Sequence, residues 1–432
     1  MDTKTLPDRF GEPAILKAPY DYYSQLRDEE EVFFSKALNA YVVSRFADSE
    51  AVLKNIAVFV NTPPTNQATA MAAYTERYFK LYDEAGVPRR VPVLAMTDGN
   101  LHLRYRELIN PRFMPSAIKR MDDALVGVVD GLIDSFIERG ADGYGSVELY
   151  REFALLVPLY FFCDTLGVPR THIQLMQDAG AASIALVTGG LLDEDGRVAA
   201  HLKLIEFAKF IQENIQRLRA APDDSLLSHM IHSETRDGDR LSEQEVISMC
   251  ATLNTGGNET TTNGLGNTLY AAIKDREILQ RLADNRDLIP KFIEEVMRFD
   301  SPIAAATRWA SEDAVIGETR IPKGSCVHVR LASGNRDEAK YSHANEFDPE
   351  RSNVRNHLGF GHGIHYCVGV HLSRSEIRIG LSRLLDRLED MRLDTSKGPI
   401  EYAEAGMVHG LQALPITFRK RPDRPATDPA SN

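Results

Sequence analysis

Cysteine is scarce in this chain. Its four cysteines, at positions 163, 250, 326 and 367 of 432, form no C-x-x-C and no paired spacing. A disulfide framework is therefore not expected, and a reducing compartment suits the chain. Long apolar runs are missing too. The longest, FALLVPLYFFC from Phe153, has about eleven residues, against the ~20 that a membrane-spanning helix needs. The opening MDTKTLPDRFGEPAILKAPY holds no apolar h-region, so neither a signal peptide nor an anchor is expected. Positive charge is in deficit. A formal net charge of -12 disfavours non-specific nucleic-acid binding. The expectation is a soluble cytoplasmic protein with neither nucleic acid nor membrane as a partner.

What is present reads as mainly α with a small β portion. Apolar spacing predicts helices over 99–109, 115–139, 146–166, 170–184, 197–219, 242–274, 287–299 and 370–389. NAYVVSRF predicts a short strand followed by a helix over ADSEAVLKN, after a charged helical opening, YDYYSQLRDEEE. From Ala310 the alternation of DAVIGETRIPKGSCVHVRLAS, with turns at Gly317 and at Pro322 to Gly324, predicts short strands. Residues 60–97 are punctuated by proline and carry little period, which predicts an irregular lid or binding loop. No repeat or composition break divides the chain. One large domain over 1–420 is expected, with a disordered polar tail over 421–432.

One helix contains a segment that ought to weaken it. NTGGNETTTN, residues 254–263, follows Val246, Met249, Cys250 and Leu253 and precedes Leu265, Leu269 and Ile273, all at helical spacing. Its two glycines each cost roughly 1 kcal/mol against alanine, and its threonines are β-branched. Gly257 and Thr260 fall within the apolar stripe, with Gly256 and Thr261 on its borders. Close helix packing over glycine would explain this, and so would a groove with room for a ligand. In either case Thr260 can hydrogen-bond back to the Gly256 carbonyl and loosen the helix.

The stretch HLGFGHGIHYCVGVHLSRSEIRIG allows several readings. A nucleotide loop needs a buried strand just before the glycines, and PERSNVRNH is none. Zinc binding by His362, His365 and Cys367 matches no common spacing and lacks a fourth ligand. Cys367 alone reads as a buried structural thiol. A haem-thiolate site uses more of the residues. Cys367 precedes a helix with an apolar face (Val370, Leu372, Ile377, Leu381, Leu384, Leu385), and a helix N-terminus favours the thiolate. Thiolate below haem iron pushes electron density that favours O–O cleavage. Gly361, Gly363 and Gly369 let backbone approach a flat ring, Phe360 can pack on it, and His365 can reach a propionate.

The order Phe-Gly-x-Gly-x-His-x-Cys-x-Gly over Phe360 to Gly369 closely resembles the haem-binding loop of the cytochrome P450 family, in its soluble bacterial form. The resemblance implies haem b (heme b), with Cys367 as the axial iron ligand, held between an oxygen-activation helix and the helix after the cysteine loop. Gly256, Gly257, Glu259 and Thr260 resemble the oxygen-activation motif, in which the acid–alcohol pair passes protons. Arg308 in ATRWASED, and His102 with Arg106 in MTDGNLHLRYRELINPRF, resemble the propionate-binding positions. Glu295 and Arg298 lie off the apolar face of their helix, where an exposed ion pair worth a few tenths of a kcal/mol is the ordinary reading. The resemblance implies instead a buried network with Arg351.

The function implied is monooxygenation of a small to medium apolar organic substrate by O2. Without a flavin or iron–sulfur motif in the chain, electrons are expected from a separate ferredoxin with its NAD(P)H-dependent reductase. Alternatives are a peroxide-using haem-thiolate enzyme, which the acid–alcohol pair disfavours, and a haem-thiolate sensor. The resemblance lines the substrate pocket with residues 86–97, the helical pair around 180–205, the oxygen-activation helix, 302–306 and 406–408. Arg89 and Arg90 could pair with a substrate carboxylate, but two arginines in a long loop are more often solvated. A docking patch of Arg104, Arg112, Lys119, Arg120, Arg355 and His362 is expected beneath Cys367.

Overall fold

The computed structural model describes residues 6–29, 32–63, 76–188, 192–404 and 406–422. Its helices are α1 (Pro13–Lys17), α2 (Tyr20–Glu29), α3 (Phe46–Lys54), α4 (76–85), α5 (Gly99–Ile109), α6 (Pro115–Lys119), α7 (Asp122–Asp134) and α8 (Leu156–Leu166). They continue with α9 (Ile173–Thr188), α10 (Glu194–Ala220), α11 (Leu226–His232), α12 (Glu243–Ile273), α13 (Arg276–Asp284), α14 (Ile289–Phe299), α15 (Leu331–Gly334) and α16 (Val370–Arg387). The ten strands among the described residues are short. They are β1 (Val32–Ser35), β2 (Ala40–Val43), β3 (Phe59–Val60), β4 (Gly145–Glu148), β5 (Ala306–Ala310), β6 (Ala314–Ile316), β7 (Thr319–Ile321), β8 (Cys326–Val329), β9 (Leu388–Leu393) and β10 (Pro415–Lys420). The largest sheet has the order β1-β2-β8-β5-β3, with β2 and β8 parallel. A second runs β4-β10-β9, and β6-β7 is a separate hairpin.

The weak helix forms in full. Ser242 accepts from Glu245 N–H while the Glu245 side chain accepts from Ser242 N–H, a capping box that starts α12. Its N-terminal half, Val246 to Leu253, packs in an apolar cluster with α9 and α10. Its C-terminal half, Leu265 to Ile273, packs in another with α14 and α16. The small residues 256–263 lie between those two clusters. Burial at both ends supplies what the middle lacks in propensity.

Local spacing misled in several places. The expected helix over 115–139 breaks at Arg120 and Met121, where Asp122 and Asp123 open the first turn of α7. The expected helix over 146–166 starts as β4 instead, because Ile416 and Val147 pair across the distant β10. A π-helical turn over Tyr150–Ala154 then leads into α8. Within the expected loop, residues 76–85 are helical, held where Tyr78 stacks on His201 at 4.5 Å. Helices α11 and α13 were not expected. The strands after Ala310 are as expected, with β5 starting earlier. The expected disordered tail falls, beyond Pro422, outside the described residues. No helix among the described residues is long and apolar enough to cross a membrane.

Candidate functional site

The cysteine loop is shaped by backbone that only glycine adopts readily. Gly361 and Gly363 have φ of 72° and 69°, in the left-handed region. A Cβ on Gly363 would stand 2.8 Å from the Leu53 carbonyl oxygen. The chain then folds back so that Cys367 N–H donates to the Phe360 carbonyl at 2.9 Å, two residues before the Gly369 cap of α16. Helix α5 braces the loop from the side. His102 Nε2 lies 3.1 Å from the Ile364 carbonyl oxygen, and Arg106 Nη1 donates to the Tyr366 carbonyl at 2.9 Å.

Opposite the loop stands the middle of α12. Thr260 Oγ1 donates to the Gly256 carbonyl at 2.7 Å, as the spacing suggested. A Cβ built on Gly256 or on Gly257 would meet nothing within 4 Å. Close packing therefore does not explain these two glycines, whereas it does explain Gly264, beside Met297 and Ile377 at 3.0 and 3.1 Å. Gly256 and Gly257 face open space.

That space is a cavity of about 410 Å³. Cys367, Gly369, Gly361 and Phe360 line one side, and Gly256, Gly257 and Thr260 line the other. His102, Arg106, Arg308 and His365 line it as well. Glu259 does not. It is half-buried, its charge acts to raise the Tyr150 pKa, and burial raises its own carboxyl pKa. Of the expected pocket segments, Leu94, Ala95, Pro302, Ile303 and Ala306 contribute lining, while the described residues of 180–205 and 406–408 do not.

Charge in the cavity is unevenly satisfied. Arg308 is 6% exposed, gives Nη1 to its neighbour's carbonyl at 2.8 Å, and leaves Nε with no partner. Burial depresses its pKa to about 10, against the pull of Asp98. Asp98, at the N-cap of α5 but making no cap bond there, accepts instead from Asn61 and Thr62 N–H at 2.9 and 2.8 Å. It also lies 3.2 Å from His365 Nε2. Burial works to raise the Asp98 pKa, and these hydrogen bonds overcome it and hold it low. Burial lifts the Cys367 thiol, while the Gly369 N–H, Arg106 and Arg374 work in the opposite sense.

Sequence reasoning passed over two of these groups. Asp98 was legible only as the residue before the α5 pattern. Glu376, on α16, also lines the cavity, and burial pushes its pKa up to about 8. A glutamate within a helix carries no signal of such burial. The zinc grouping is not formed, since His362 turns to Glu50 at 3.1 Å and His365 to Asp98. Glu295 and Arg298 are not exposed but fully buried, with Arg351 beside them. Helix α14 meets protein on every side from Phe292 to Arg298, so a wheel drawn from apolar residues alone missed that face.

A thiol on one wall, uncrowded small residues on the other and an arginine with an unpartnered Nε at the edge fit a flat anionic macrocycle. Residues 192–409 match the cytochrome P450 family model. This chain belongs to the cytochrome P450 family. It is 31% identical to a vitamin D(3) 25-hydroxylase of Pseudonocardia autotrophica over 76% of this chain and 79% of that protein. Cytochrome P450 107B1 of Saccharopolyspora erythraea is 29% identical over 96% of this chain and 99% of that one. The solved structure of cytochrome P450 CYP109Q5 from Chondromyces apiculatus superposes with a TM-score of 0.80 at 26% identity, covering 95% of this chain and 98% of that one. The fold is thus the P450 fold, the enzyme class is monooxygenase, and the family's cofactor is haem b on a cysteine thiolate.

The expected docking patch is smaller than the sequence suggested. Arg104 pairs with Glu245 at 2.8 Å and Arg112 with Asp224 at 3.1 Å, so neither offers free charge. Lys119 and Arg355 line a separate hollow with His371, Arg374 and Arg378. Arg374 and Arg378 are already bound to Glu294 and Asp122, at 2.6 and 3.1 Å.

Proposed function

We propose that this P450 inserts one atom of O2 into a small to medium apolar organic substrate, using electrons from a separate ferredoxin-type partner. The observation that carries this is the convergence of Cys367 and of Gly256, Gly257 and Thr260 on one cavity. Haem b bound there supplies the iron at which dioxygen is reduced. Cys367 would hold that iron as thiolate, and Arg308, His102, Arg106 and His365 would hold the propionates, the two arginines supplying the positive charge. Residues 1–420 act as one domain in this reading, since the cavity lining runs from Leu53 to Glu376. The test is reconstitution with a ferredoxin, its reductase and NADH. Product formation that requires the ferredoxin, NADH and O2 supports the reading, and turnover supported by peroxide but not by that system sinks it.

Thr260 and Glu259 handle protons. The Thr260 hydroxyl gives its hydrogen to Gly256, which leaves its oxygen free to accept. Glu259, raised by burial, keeps a proton at higher pH than a solvated glutamate and is suited to passing it on. Because Glu259 does not line the cavity, a side-chain swing or a water completes the path. Thr260→Ala should lower product per NADH by roughly tenfold or more, as expected when a positioned proton-transfer group is lost. Haem content and substrate affinity should stay at wild type. Unchanged coupling would remove Thr260 from the proton path.

Electrons enter on the face carrying Lys119 and Arg355. Both are exposed, and neither has an acidic partner among the described residues. A chain of net charge -12 needs such a local basic face to meet an acidic partner. Charge reversal at both positions should slow reduction by the ferredoxin about tenfold at low salt and flatten its salt dependence, leaving substrate affinity unchanged. Equal rates at low and high salt would dispose of this face.

A further inference from the structure

Arg90 is built unlike the arginines around it. Its neighbour Arg89 is paired with Asp83 at 2.5 Å and with Glu76 at 3.8 Å. Arg90 turns inward. Among the described residues its side chain has one hydrogen-bond partner, the Ser183 hydroxyl on α9, at 3.3 Å from Nη1. A guanidinium carries five N–H donors, so most of them are unused. The carboxylates on neighbouring elements are committed elsewhere. Glu194 is bound by Arg77 and Tyr78, both at 3.0 Å, and Asp178 by Lys203 at 2.8 Å.

The surroundings make an unpaired cation costly. Tyr82, Val87, Val93, Leu94, Ala182 and Ala200 belong to one buried apolar cluster around this loop. Burial depresses the Arg90 pKa, with Tyr82 pulling weakly the other way. Its polar neighbours carry no negative charge. Tyr82 Oη lies 3.3 Å from His201 Nδ1. Burial, helped by Arg90, lowers the His201 pKa to about 4, so the imidazole is neutral near pH 7. Yet Arg90 is only half-buried, so something small can still reach it. A buried charge is costly unless it is paired, and a guanidinium fork matches a carboxylate.

Its loop leads on to the cavity wall, although Arg90 itself does not line the cavity. The loop is stitched to α12, with Val91 N–H donating to Ser248 Oγ at 3.0 Å and Gln244 Nε2 to the Arg89 carbonyl at 2.8 Å. Four residues on, the same loop supplies Leu94 and Ala95 to the cavity wall. Along α12, Ser248 stands two turns before Gly256 and about 18 Å before Thr260, at 1.5 Å per residue.

We infer that Arg90 anchors a carboxylate of the substrate, whose apolar body, about 10–15 Å long, parts the packing of α9 on α12 to reach the cavity, which Arg90 itself does not line. This deepens the monooxygenase reading and rests on it. One cation beside a neutral histidine matches a monoanion better than a phosphate dianion.

The test uses the holoenzyme and four probes, dodecanoic acid, methyl dodecanoate, dodecanol and dodecyl phosphate, with affinities read by calorimetry. Wild type should bind the acid about tenfold or more tighter than the ester or the alcohol, the size of one charge-assisted pair. Arg90→Met should erase that preference while leaving affinity for the alcohol within about twofold, and Arg90→Lys should restore part of it. Equal binding of acid and ester, tighter binding of the phosphate, or a preference that survives in Arg90→Met would overturn the assignment. The carbon-monoxide spectrum of each protein is recorded separately. It tests the haem-thiolate reading and the fold of each variant independently of the affinities.

Discussion

Cys367→Ser is expected to yield a folded protein without the long-wavelength carbon-monoxide band of thiolate-ligated ferrous haem. The loop should survive, because its closing hydrogen bond comes from the Cys367 backbone N–H to the Phe360 carbonyl, which serine keeps. What is lost is the anion. Burial already works against the thiolate, with the Gly369 N–H, Arg106 and Arg374 opposing it. An alcohol is a far weaker acid and a far poorer electron donor. Monooxygenation should fall by more than the roughly 10–100-fold typical of residues that only support a metal ligand. The other cysteines do not substitute. None of Cys163, Cys250 and Cys326 lines the cavity, whereas Cys367 does. Cys326→Ser should therefore leave the band unchanged. A band that persists in Cys367→Ser would place the thiolate elsewhere.

Glu295→Ala should destabilise the protein by about 3–5 kcal/mol, the usual result of removing one partner from a buried charge pair. That is a large share of the ~5–15 kcal/mol that holds most domains folded. Glu295 takes Arg298 in a fork, at 2.7 and 2.8 Å, with Arg351 at 3.4 Å and the Asp348 N–H at 2.8 Å. Arg298 donates onward to the carbonyls of Asn335, Ala344 and Glu346 at 2.9, 2.8 and 3.0 Å. Asn335 in turn accepts Leu358 N–H at 2.6 Å, at the start of the cysteine loop. Alanine leaves two arginines buried without an anion, so urea should unfold the variant earlier and haem content should drop with it. Replacing both partners, as Glu295→Leu with Arg298→Met, should cost less than a simple sum of the single changes, because fewer buried charges remain unpaired. A loss under about 1 kcal/mol in Glu295→Ala would return the pair to the class of surface ion pairs.

The site was more legible than the topology. Thr260 and Cys367 stand on continuous helical patterns or next to them, and their chemistry follows from their order in the chain. The same order said nothing about β4, whose partner β10 lies at the far end of the chain, nor about the break between α6 and α7. The docking patch shows a different limit. Arg104 and Arg112 are as basic in sequence as Lys119 and Arg355. Only the fold brings Glu245 and Asp224 against the first pair and leaves the second pair free.

By itself the sequence determined that the chain is mainly helical, that its α12 pattern is small and hydroxylated at the centre, and that one cysteine sits before a helix in a glycine loop. These are local properties, set by side-chain period and by backbone that only glycine adopts. The tertiary structure decided what they mean. It left open space over Gly256 and Gly257 where packing was an equal alternative, because α12 is held by two separate apolar clusters at its ends. It buried Glu295 with Arg298, kept Glu259 out of the cavity wall, and set Arg90 against Ser183 without a carboxylate. Each of these depends on which distant element fills the space beside a residue, and periodicity along one chain does not encode that.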